Sequence, residues 1–331
     1  MYLVPAMRIP RLAFTLIGLL IACIGLSSRA ASPDPTGYPN KPIKMIVPYP
    51  PGGSIDILSR LAGQRLAEEL GQPVVIENRP GAGGTIAASL VARAQPDGYT
   101  ICACGGTALT VSPFLYPDQK LKPLEDFIPV MTIGGFAFLA TVNTAASPAK
   151  NIEELIALGK DRGGKLMVGA LATGTPSHLA AESFRIATGS KATLVPYNGS
   201  VQALTALLAG DIDVLFESPS MIAPHIKSGR LKALGVAQSQ RLAEYPDVPT
   251  LPEKGFPSFS FQGWVAIVLP RATPEPVASR LRNALEKAWD TPEARQQMAS
   301  RGLLHFAESG LQTTARMKAD IDIATRLMKT P

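Results

Sequence analysis

IKMIVPYPPGGSIDILSRLAGQRLAEELGQPVVI, residues 43–76, is the stretch of this sequence that decides its fold. Its first five residues form a short apolar run that is typical of a buried parallel strand. From Ser54 the apolar residues recur at helical spacing until Gly71, which predicts one helix that ends at this glycine. A second apolar run at residues 74–76 predicts the next strand. The stretch therefore predicts a β-α-β unit.

The same alternation of apolar runs and helical spacing continues along the chain. Further strands are predicted at residues 99–104, 138–142, 166–169 and 212–216. Further helices are predicted from the 80–85 turn to 94, at 152–158, at 176–188, at 201–209, at 277–289 and from 313 onward. Alternating strands and helices favour two α/β domains with mostly parallel sheets, because a mature chain of about 300 residues exceeds one core.

The two halves are not separated by a low-complexity linker. We therefore expect strands to cross between the domains near residues 138–141 and 261–266, with a cleft between them that closes by hinging. The predicted division is a signal peptide at residues 1–30, lobe 1 at 38–138 plus 263–331, and lobe 2 at 139–262.

The N-terminus has the order of a secretory signal. Arg8 and Arg11 precede an apolar run at residues 12–26, and small residues follow up to Ala31. This order predicts cleavage near residue 30 and a periplasmic location, since the run is short for a membrane span. A second interpretation takes residues 20–23 (LIAC) as a lipoprotein processing box with Cys23 lipidated.

Composition excludes several classes of protein. The formal charge of +6 falls to +3 without residues 1–30, because that segment carries three arginines and no acid. No basic run with interleaved aromatics follows, so we expect no nucleic-acid partner. The sequence has no G-x-S-x-G, phosphate-loop or H-E-x-x-H motif, and its three histidines stand apart from other ligand types. We expect no metal and no cofactor.

Cys102 and Cys104 lie two residues apart in the predicted strand at 99–104. Two cysteines so close in one strand have poor geometry for a disulfide. We expect both to be buried as small hydrophobic side chains.

Three glycine-bearing turns open predicted helices, at residues 50–54 (PPGGS), 173–177 (TGTPS) and 197–200 (YNGS). A helix N-terminus has unpaired backbone N–H groups and about half a positive charge, so it binds anions without lysine or arginine. Ligands of open parallel sheets lie beyond the carboxyl ends of the strands, where such turns gather. The turns predict a binder of small carboxylates.

Several polar side chains near these turns have two interpretations. Ser54 is a ligand donor or an ordinary N-cap. Asp56 favours the helix dipole or, if it faces the cleft, accepts a hydrogen bond from an amide, a hydroxyl or a ligand ammonium. His178 is a ligand contact or a packed side chain. Glu217 repels a dianionic ligand or orders a loop through backbone amides.

A secreted hydrolase is the minor alternative, with Ser54 or Ser177 as nucleophile and His178 as base. A nucleophile needs its base within hydrogen-bond reach. Consecutive helical residues do not face each other, which disfavours the Ser177 and His178 pair.

A series of motifs in order along the chain resembles the Bug family of solute-binding proteins of tripartite tricarboxylate transporters. The motifs are 46–56 (IVPYPPGGSID), 77–84 (ENRPGAGG), 96–100 (PDGYT), 115–116 (LY), 126–130 (DFIPV), 178–182 (HLAAE), 195–199 (VPYNG), 230–234 (RLKAL) and 246–250 (PDVPT). The chain departs from the family's usual residues at Ser59, Ala87 and Glu217, where alanine, glycine and aspartate are common.

The resemblance implies a two-lobed type II periplasmic-binding-protein fold. It implies that ligand carboxylates are held by main-chain amides, hydroxyls and bridging waters from the loop at residues 52–56 and from the helix starts of lobe 2. The predicted ligand-binding set is Tyr49, Pro51, Gly53, Ser54, Asp56, Thr107, Thr173, Thr175, Ser177, His178, Asn198, Gly199 and Glu217.

The function predicted from the sequence is a monomeric periplasmic receptor and not an enzyme. It captures a small carboxylate, which is a dicarboxylate, an amino acid or an aromatic acid, for a membrane permease. A ligand-dependent receptor for a membrane sensor is the alternative.

Overall fold

The structure, a computed structural model, describes residues 37–161, 163, 165–189, 191–256 and 261–329. The predicted signal peptide at 1–30, and Cys23 within it, lie outside the described residues.

Eleven strands lie within the described residues. They are β1 (Ile43–Val47), β2 (Val74–Asn78), β3 (Thr100–Gly105), β4 (Phe127–Ala137), β5 (Leu139–Asn143), β6 (Met167–Leu171), β7 (Thr193–Tyr197), β8 (Val214–Glu217), β9 (Leu231–Val236), β10 (Gln262–Pro270) and β11 (Glu308–Ser309).

The helices of the described residues alternate with these strands for most of the chain. They are α1 (Ser54–Leu70), α2 (Thr85–Ala92), α3 (Gly106–Thr110), α4 (Ser112–Leu115), α5 (Pro123–Asp126), α6 (Ile152–Asp161), α7 (Pro176–Thr188), α8 (Ser200–Ala209), α9 (Pro219–Lys227), α10 (Glu275–Trp289), α11 (Pro292–Ala299) and α12 (Gly310–Lys329). Short 3-10 turns add Ala82–Gly84, Pro117–Gln119 and Pro252–Lys254.

The strands form two sheets. The first has the order β11-β4-β10-β3-β1-β2 and the second has the order β7-β6-β8-β5-β9. Strands β1, β2 and β3 pair in parallel, as do β6, β7 and β8. The strands β4, β5 and β10 pair antiparallel with their neighbours. Both sheets are therefore mixed, whereas the sequence predicted mostly parallel sheets; the two-lobed α/β architecture is as predicted.

The chain passes between the sheets at two phenylalanines. Strand β4 ends at Ala137 in the first sheet and β5 begins at Leu139 in the second, so Phe138 lies at the crossing. The backbone N–H of Ala237, just after β9, donates to the carbonyl of Phe138 at 2.8 Å, and the N–H of Phe261 donates to the carbonyl of Ala237 at 2.7 Å. Ala237 thus links the two crossing segments through backbone hydrogen bonds.

The parallel strands β1 and β3 lie in the buried part of the first sheet. Helix α1 packs its leucines, including Leu58 and Leu66, against this sheet, and neither side chain has exposed surface. Gly71 ends α1 with φ +67°, a left-handed conformation that glycine adopts without steric cost. The β1-α1-β2 unit thereby brings the loop at residues 48–53 to the carboxyl end of β1.

Cys102 and Cys104 are joined by a disulfide within β3, and both are fully buried. The expectation of two unpaired thiols is wrong. Alternate residues of a strand point to the same face, and the Cα atoms are 5.3 Å apart, which lies within the usual range for a disulfide. Two sulfurs on one face of a single strand can therefore meet.

Among the described helices, none combines the length and the apolar character that crossing a bilayer requires.

Candidate functional site

A cavity of about 380 Å³ lies where the loops of the two sheets face each other. Its first wall comes from the segment after β1 and from the turn at residues 80–84. Its second wall comes from the segments after β6, β7 and β8. Because these segments follow the carboxyl ends of parallel strands, helix starts from both sheets converge on one space.

The first wall is built by the start of α1. Gly53 is the N-cap of this helix, and no side chain bonds to the helix start there. Gly52 has φ +87°, and its backbone N–H donates to Asp56 Oδ2 at 2.9 Å. The positive φ turns the chain from β1 into α1 and leaves the first N–H groups of the helix without a capping side chain.

Asp56 is held by three donors and does not line the cavity. Besides Gly52, the Nε of Arg60 donates to it at 2.9 Å and the Nδ2 of Asn78 at 2.8 Å. Burial raises the pKa of the Asp56 carboxyl, but the hydrogen bonds from Arg60, Gly52 and Asn78 outweigh this and leave the pKa below its usual value. Asp56 therefore orders the loop as an ionised acceptor.

Tyr49 and Thr107 form a pair at the back of the first wall. Their hydroxyl oxygens are 3.2 Å apart and both side chains are buried. Asn78 also donates to the Tyr49 carbonyl at 2.9 Å. Burial raises the Tyr49 pKa to about 12, so the ring stays neutral at physiological pH.

The second wall carries two further helix starts. Thr175 caps α7 by accepting from the backbone N–H of His178 at 3.3 Å. Gly199 caps α8 without a side-chain bond. A Cβ added at Gly53 would lie 3.5 Å from Ser200 Oγ, so the starts of α1 and α8 face each other closely. Two helix starts from different sheets are therefore available to one ligand.

Glu217 ends β8 at the cavity wall and is 3% exposed. Its Oε1 accepts from the backbone N–H of Ser218 at 2.8 Å, whereas its Oε2 is buried and has no hydrogen-bond partner among the described residues. Burial raises the pKa of this carboxyl, and the Ser218 N–H with the hydroxyls of Ser200 and Ser218 only partly offsets the shift. The loop-ordering interpretation thus accounts for one oxygen and leaves the other unsatisfied.

Two phenylalanines complete the cavity where the sheets meet. Phe136 and Phe138 are almost fully buried, and their rings pack edge to face with centroids 5.4 Å apart. They lie on either side of the point where the chain leaves the first sheet. The crossing segment therefore gives the cavity an apolar surface between its polar walls.

Eight of the thirteen predicted site residues line the cavity. These are Tyr49, Gly53, Ser54, Thr175, Ser177, Asn198, Gly199 and Glu217. The other five, Pro51, Asp56, Thr107, Thr173 and His178, are not on its lining.

For four of these five residues, the contacts outside the cavity explain why they do not line it. Asp56 and Thr107 bond to groups behind the first wall. The Thr173 carbonyl accepts from the Tyr116 hydroxyl at 3.1 Å and its side chain is exposed. The His178 ring is partly buried with Nδ1 unpartnered, and burial lowers its pKa. Pro51 is exposed.

Sequence reasoning missed several residues of the lining. The missed residues include Pro48, Pro50, Ile55, Pro80, Gly81, Gly83, Gly84, Phe136, Phe138, Leu171, Ala172, Pro176 and Ser200. The glycine run at 81–84 carried a signal, because glycines before a helix permit close approach of the backbone. The indication for the phenylalanines was weaker, because it came only from the position of Phe138 in the predicted crossing at residues 138–141.

The geometry does not assemble a hydrolytic site. The Ser177 hydroxyl donates to the Phe216 carbonyl at 2.8 Å, and Ser54 Oγ bonds with the hydroxyls of Ser218 and, at 2.9 Å, Ser220. His178 does not line the cavity and is not bonded to either serine through its ring in the described part of the chain. A serine nucleophile with its base is therefore missing from the described cavity.

The lining contains no lysine, arginine or histidine among the described residues. Within the same described ranges, no cluster of three or more metal-ligating side chains occurs. The donors available to a ligand are therefore neutral: backbone N–H groups and hydroxyls.

Comparison with known proteins supports this picture at the level of sequence. The family model TctC, described as the tripartite tricarboxylate transporter family receptor, matches residues 58–329. Protein BugT of Bordetella pertussis is 35% identical over 287 residues, which cover 86% of this chain and 87% of BugT.

Solved structures give the same result for the fold. A protein of R. palustris with adipate aligns with a TM-score of 0.84 and 29% identity, covering 88% of this chain and 98% of the other. MatC from Rhodopseudomonas palustris with bound malate aligns with a TM-score of 0.81 and 29% identity, covering 88% and 100%. Each alignment covers 88% of this chain, and neither sheet with its helices makes up that much of the chain. Both alignments therefore extend over both sheets.

A cavity between two α/β lobes, walled by helix starts, defines a periplasmic solute-binding protein. The chain belongs to the tripartite tricarboxylate transporter receptor family. It is a solute-binding receptor and not an enzyme, as the family of tripartite tricarboxylate transporter receptors implies.

Proposed function

We propose that this receptor captures one small organic acid in the cavity between its sheets and delivers it to a membrane permease. The observation that carries the proposal is the convergence of the starts of α1 and α8 on one cavity, both capped by glycine without a side-chain bond. Among the described residues, this cavity has no cationic side chain in its lining. Helix-start amides bind a carboxylate without a counter-charge. The adipate and malate held by two related structures support this class of ligand.

The proposed binding set is narrower than the sequence predicted. Gly53 and Ser54 donate from the first wall, and Thr175, Asn198 and Gly199 act from the second. Asp56 and Thr107 hold the first wall in shape from behind it. We propose that the cavity lies between two lobes, 38–138 plus 263–331 and 139–262, and that the receptor acts as a monomer.

A thermal-shift and calorimetry screen of small carboxylates on ligand-stripped protein tests the proposal. A bound acid stabilises the folded protein by mass action, so its melting temperature rises with acid concentration. We expect at least one acid to bind in the micromolar range. If no organic acid changes the melting temperature or produces heat at millimolar concentration, the proposal is wrong.

A variant of the helix start supplies the matched control. Ser200→Pro removes the backbone N–H at the first position of α8, where the fixed φ of proline fits a helix, and we expect it to weaken binding of the acid found in the screen. Ser200→Ala removes only the hydroxyl and keeps this N–H, and we expect its affinity to stay closer to that of the wild type. Equal losses in both variants would show that the hydroxyl and not the backbone donor is affected.

A further inference from the structure

Glu217 carries the one carboxyl among the described residues that line the cavity. The other titratable side chain of this described lining is Tyr49, whose hydroxyl bonds with Thr107. Asp56, an acid behind the first wall, already has three donors. Glu217 is therefore the one described lining carboxyl that has an oxygen to offer to a ligand.

An unsatisfied buried oxygen is costly. Oε1 of Glu217 has the Ser218 N–H, but Oε2 has no partner among the described residues and no contact with water. A buried acceptor without a donor loses its hydration and gains nothing in return. Such groups are rare in folded proteins and call for a partner that the protein itself does not supply.

The hydroxyls of Ser200 and Ser218 lower the pKa of the Glu217 carboxyl, yet its Oε2 has no hydrogen-bond partner among the described residues. Leu139 pairs with it across β5, and Phe138 comes next along the cavity. The Ser177 hydroxyl on α7 already donates to the Phe216 carbonyl at 2.8 Å. The terminal torsion of a glutamate is soft, so Oε2 can turn toward a ligand without a change of rotamer at the other torsions.

We infer that Glu217 selects the ligand by accepting a hydrogen bond from a protonated amine, so that the receptor takes an amino acid and not a plain dicarboxylate. This inference rests on the proposed function, in which the helix starts hold the ligand's carboxylate. The ammonium end then lies at β8 and the carboxylate end at α1 and α8. A dianionic acid of the same length would place a second negative charge against Glu217.

Proton linkage distinguishes this arrangement from one with a neutral Glu217. Burial raises the pKa of the Glu217 carboxyl above its usual value. A ligand ammonium favours the ionised carboxyl, and binding then releases protons. A dicarboxylate that is held by a protonated Glu217 takes protons up instead.

The test uses three pairs of acids of equal length in which an ammonium end replaces one carboxylate end: β-alanine and succinate, 4-aminobutyrate and glutarate, and 5-aminovalerate and adipate. Dissociation constants are measured by calorimetry on the full mature protein after ligand stripping, in two buffers of different ionisation enthalpy. We expect an amine-bearing acid to bind about tenfold more tightly than its partner, with proton release. We expect the preference to fall to about twofold or less in Glu217→Gln.

Two further variants keep the test sharp. Glu217→Asp retains a carboxylate, and we expect it to keep a preference for the amine. Glu125→Gln removes an acid from an exposed helix end, where it pairs with Lys122, and we expect the wild-type preference there. The melting temperature of each variant shows that it is folded.

The outcomes separate this inference from the proposed function. Dicarboxylates that bind at least as tightly as their amine-bearing partners, or a preference that survives Glu217→Gln, would overturn the role of Glu217 and leave the receptor function standing. Proton uptake on binding of an amine-bearing acid would overturn it as well. If none of these acids nor any other carboxylate in the screen binds, the proposed function fails and this inference fails with it.

Discussion

Asp56 shows how one residue of the sequence can serve the site without touching the ligand. Its position just inside α1 favoured a helix-dipole interaction over a cleft-facing role as acceptor from an amide, a hydroxyl or a ligand ammonium. The structure shows a third role, because the carboxylate joins the loop at Gly52, the helix at Arg60 and the strand end at Asn78. No periodicity in the sequence reveals that these three donors meet.

Replacing Asp56 by asparagine tests this role through pH. A carboxyl whose pKa is lowered by folding stabilises the protein above its unfolded pKa and loses that contribution as pH falls through its folded pKa. At pH 7 we expect Asp56→Asn to lower the free energy of unfolding by about 1–3 kcal/mol, because charge-assisted hydrogen bonds are lost. Urea unfolding from pH 7 to pH 3 measures the difference, which should shrink toward acid pH. A difference that is the same at both ends, or absent at pH 7, would contradict the role.

Glu217 illustrates the limit of prediction at a single residue. Its place after an apolar strand put it at the carboxyl end of a sheet, and that position is correct. Which of its oxygens finds a donor depends on Ser218 and on burial among distant residues. The sequence holds no signal for an unsatisfied atom.

At the scale of elements, the β-α-β units were predictable because each depends on local order. Strand β1 and helix α1 have the predicted bounds, and α7 begins at Pro176 and ends before Gly189 as expected. Strand direction in β4 and β10 was not predictable, because periodicity does not tell which neighbour a strand takes. The antiparallel pairing arises where the chain crosses between sheets.

The turn into α1 provides a matched pair of glycine substitutions. Gly52 has φ +87°, whereas Gly53 has φ −79° and an added Cβ there meets Ser200 Oγ at an ordinary 3.5 Å. We expect Gly52→Ala to lower the free energy of unfolding by about 1 kcal/mol or more, because the left-handed conformation is strained for alanine. Gly53→Ala should change it by less than about 0.5 kcal/mol. Chemical denaturation of both variants measures this, and equal effects would argue against the turn geometry.

The disulfide of β3 makes a second prediction for an element. The mature, unreduced protein should show no reactive thiol from Cys102 or Cys104 after denaturation, and two after reduction. The closed loop is very short, so the bond removes little chain entropy from the unfolded state. We therefore expect the double variant Cys102→Ala with Cys104→Ala to lose no more than about 2 kcal/mol of stability. Thiol labelling with mass spectrometry decides the first part; two free thiols before reduction would contradict the pairing.

At the scale of the whole molecule, function depends on bonds that connect the two sides of the cavity. Ser112 is fully buried, and the single proton of its hydroxyl is shared between the carbonyls of Gly83 at 2.9 Å and Gly174 at 3.2 Å. Gly83 lies in the turn before α2, and Gly174 lies in the loop between β6 and α7. One hydroxyl therefore ties the first wall to the second.

Removing this hydroxyl should weaken ligand binding more than it weakens the fold. Ser112→Ala removes a hydrogen bond that stabilises the conformation with joined walls by about 1 kcal/mol. We therefore expect the dissociation constant of a bound acid to rise about fivefold. Calorimetry with the acid found in the carboxylate screen measures the change. Thr205→Ala is the control, since its hydroxyl bonds within α8 to the Val201 carbonyl. Unchanged affinity in Ser112→Ala would show that this bond is not part of the bound arrangement.

The central claim is that neutral donors on helix starts from two sheets hold an organic acid. The most direct measurement is a crystal structure of the purified receptor with the acid it retains or the acid found in the screen. The account predicts a carboxylate in the cavity with oxygens about 3 Å from the backbone N–H groups at the starts of α1 and α8. An acid bound elsewhere, or held by lysine or arginine side chains while these helix starts stay without contact, would contradict it.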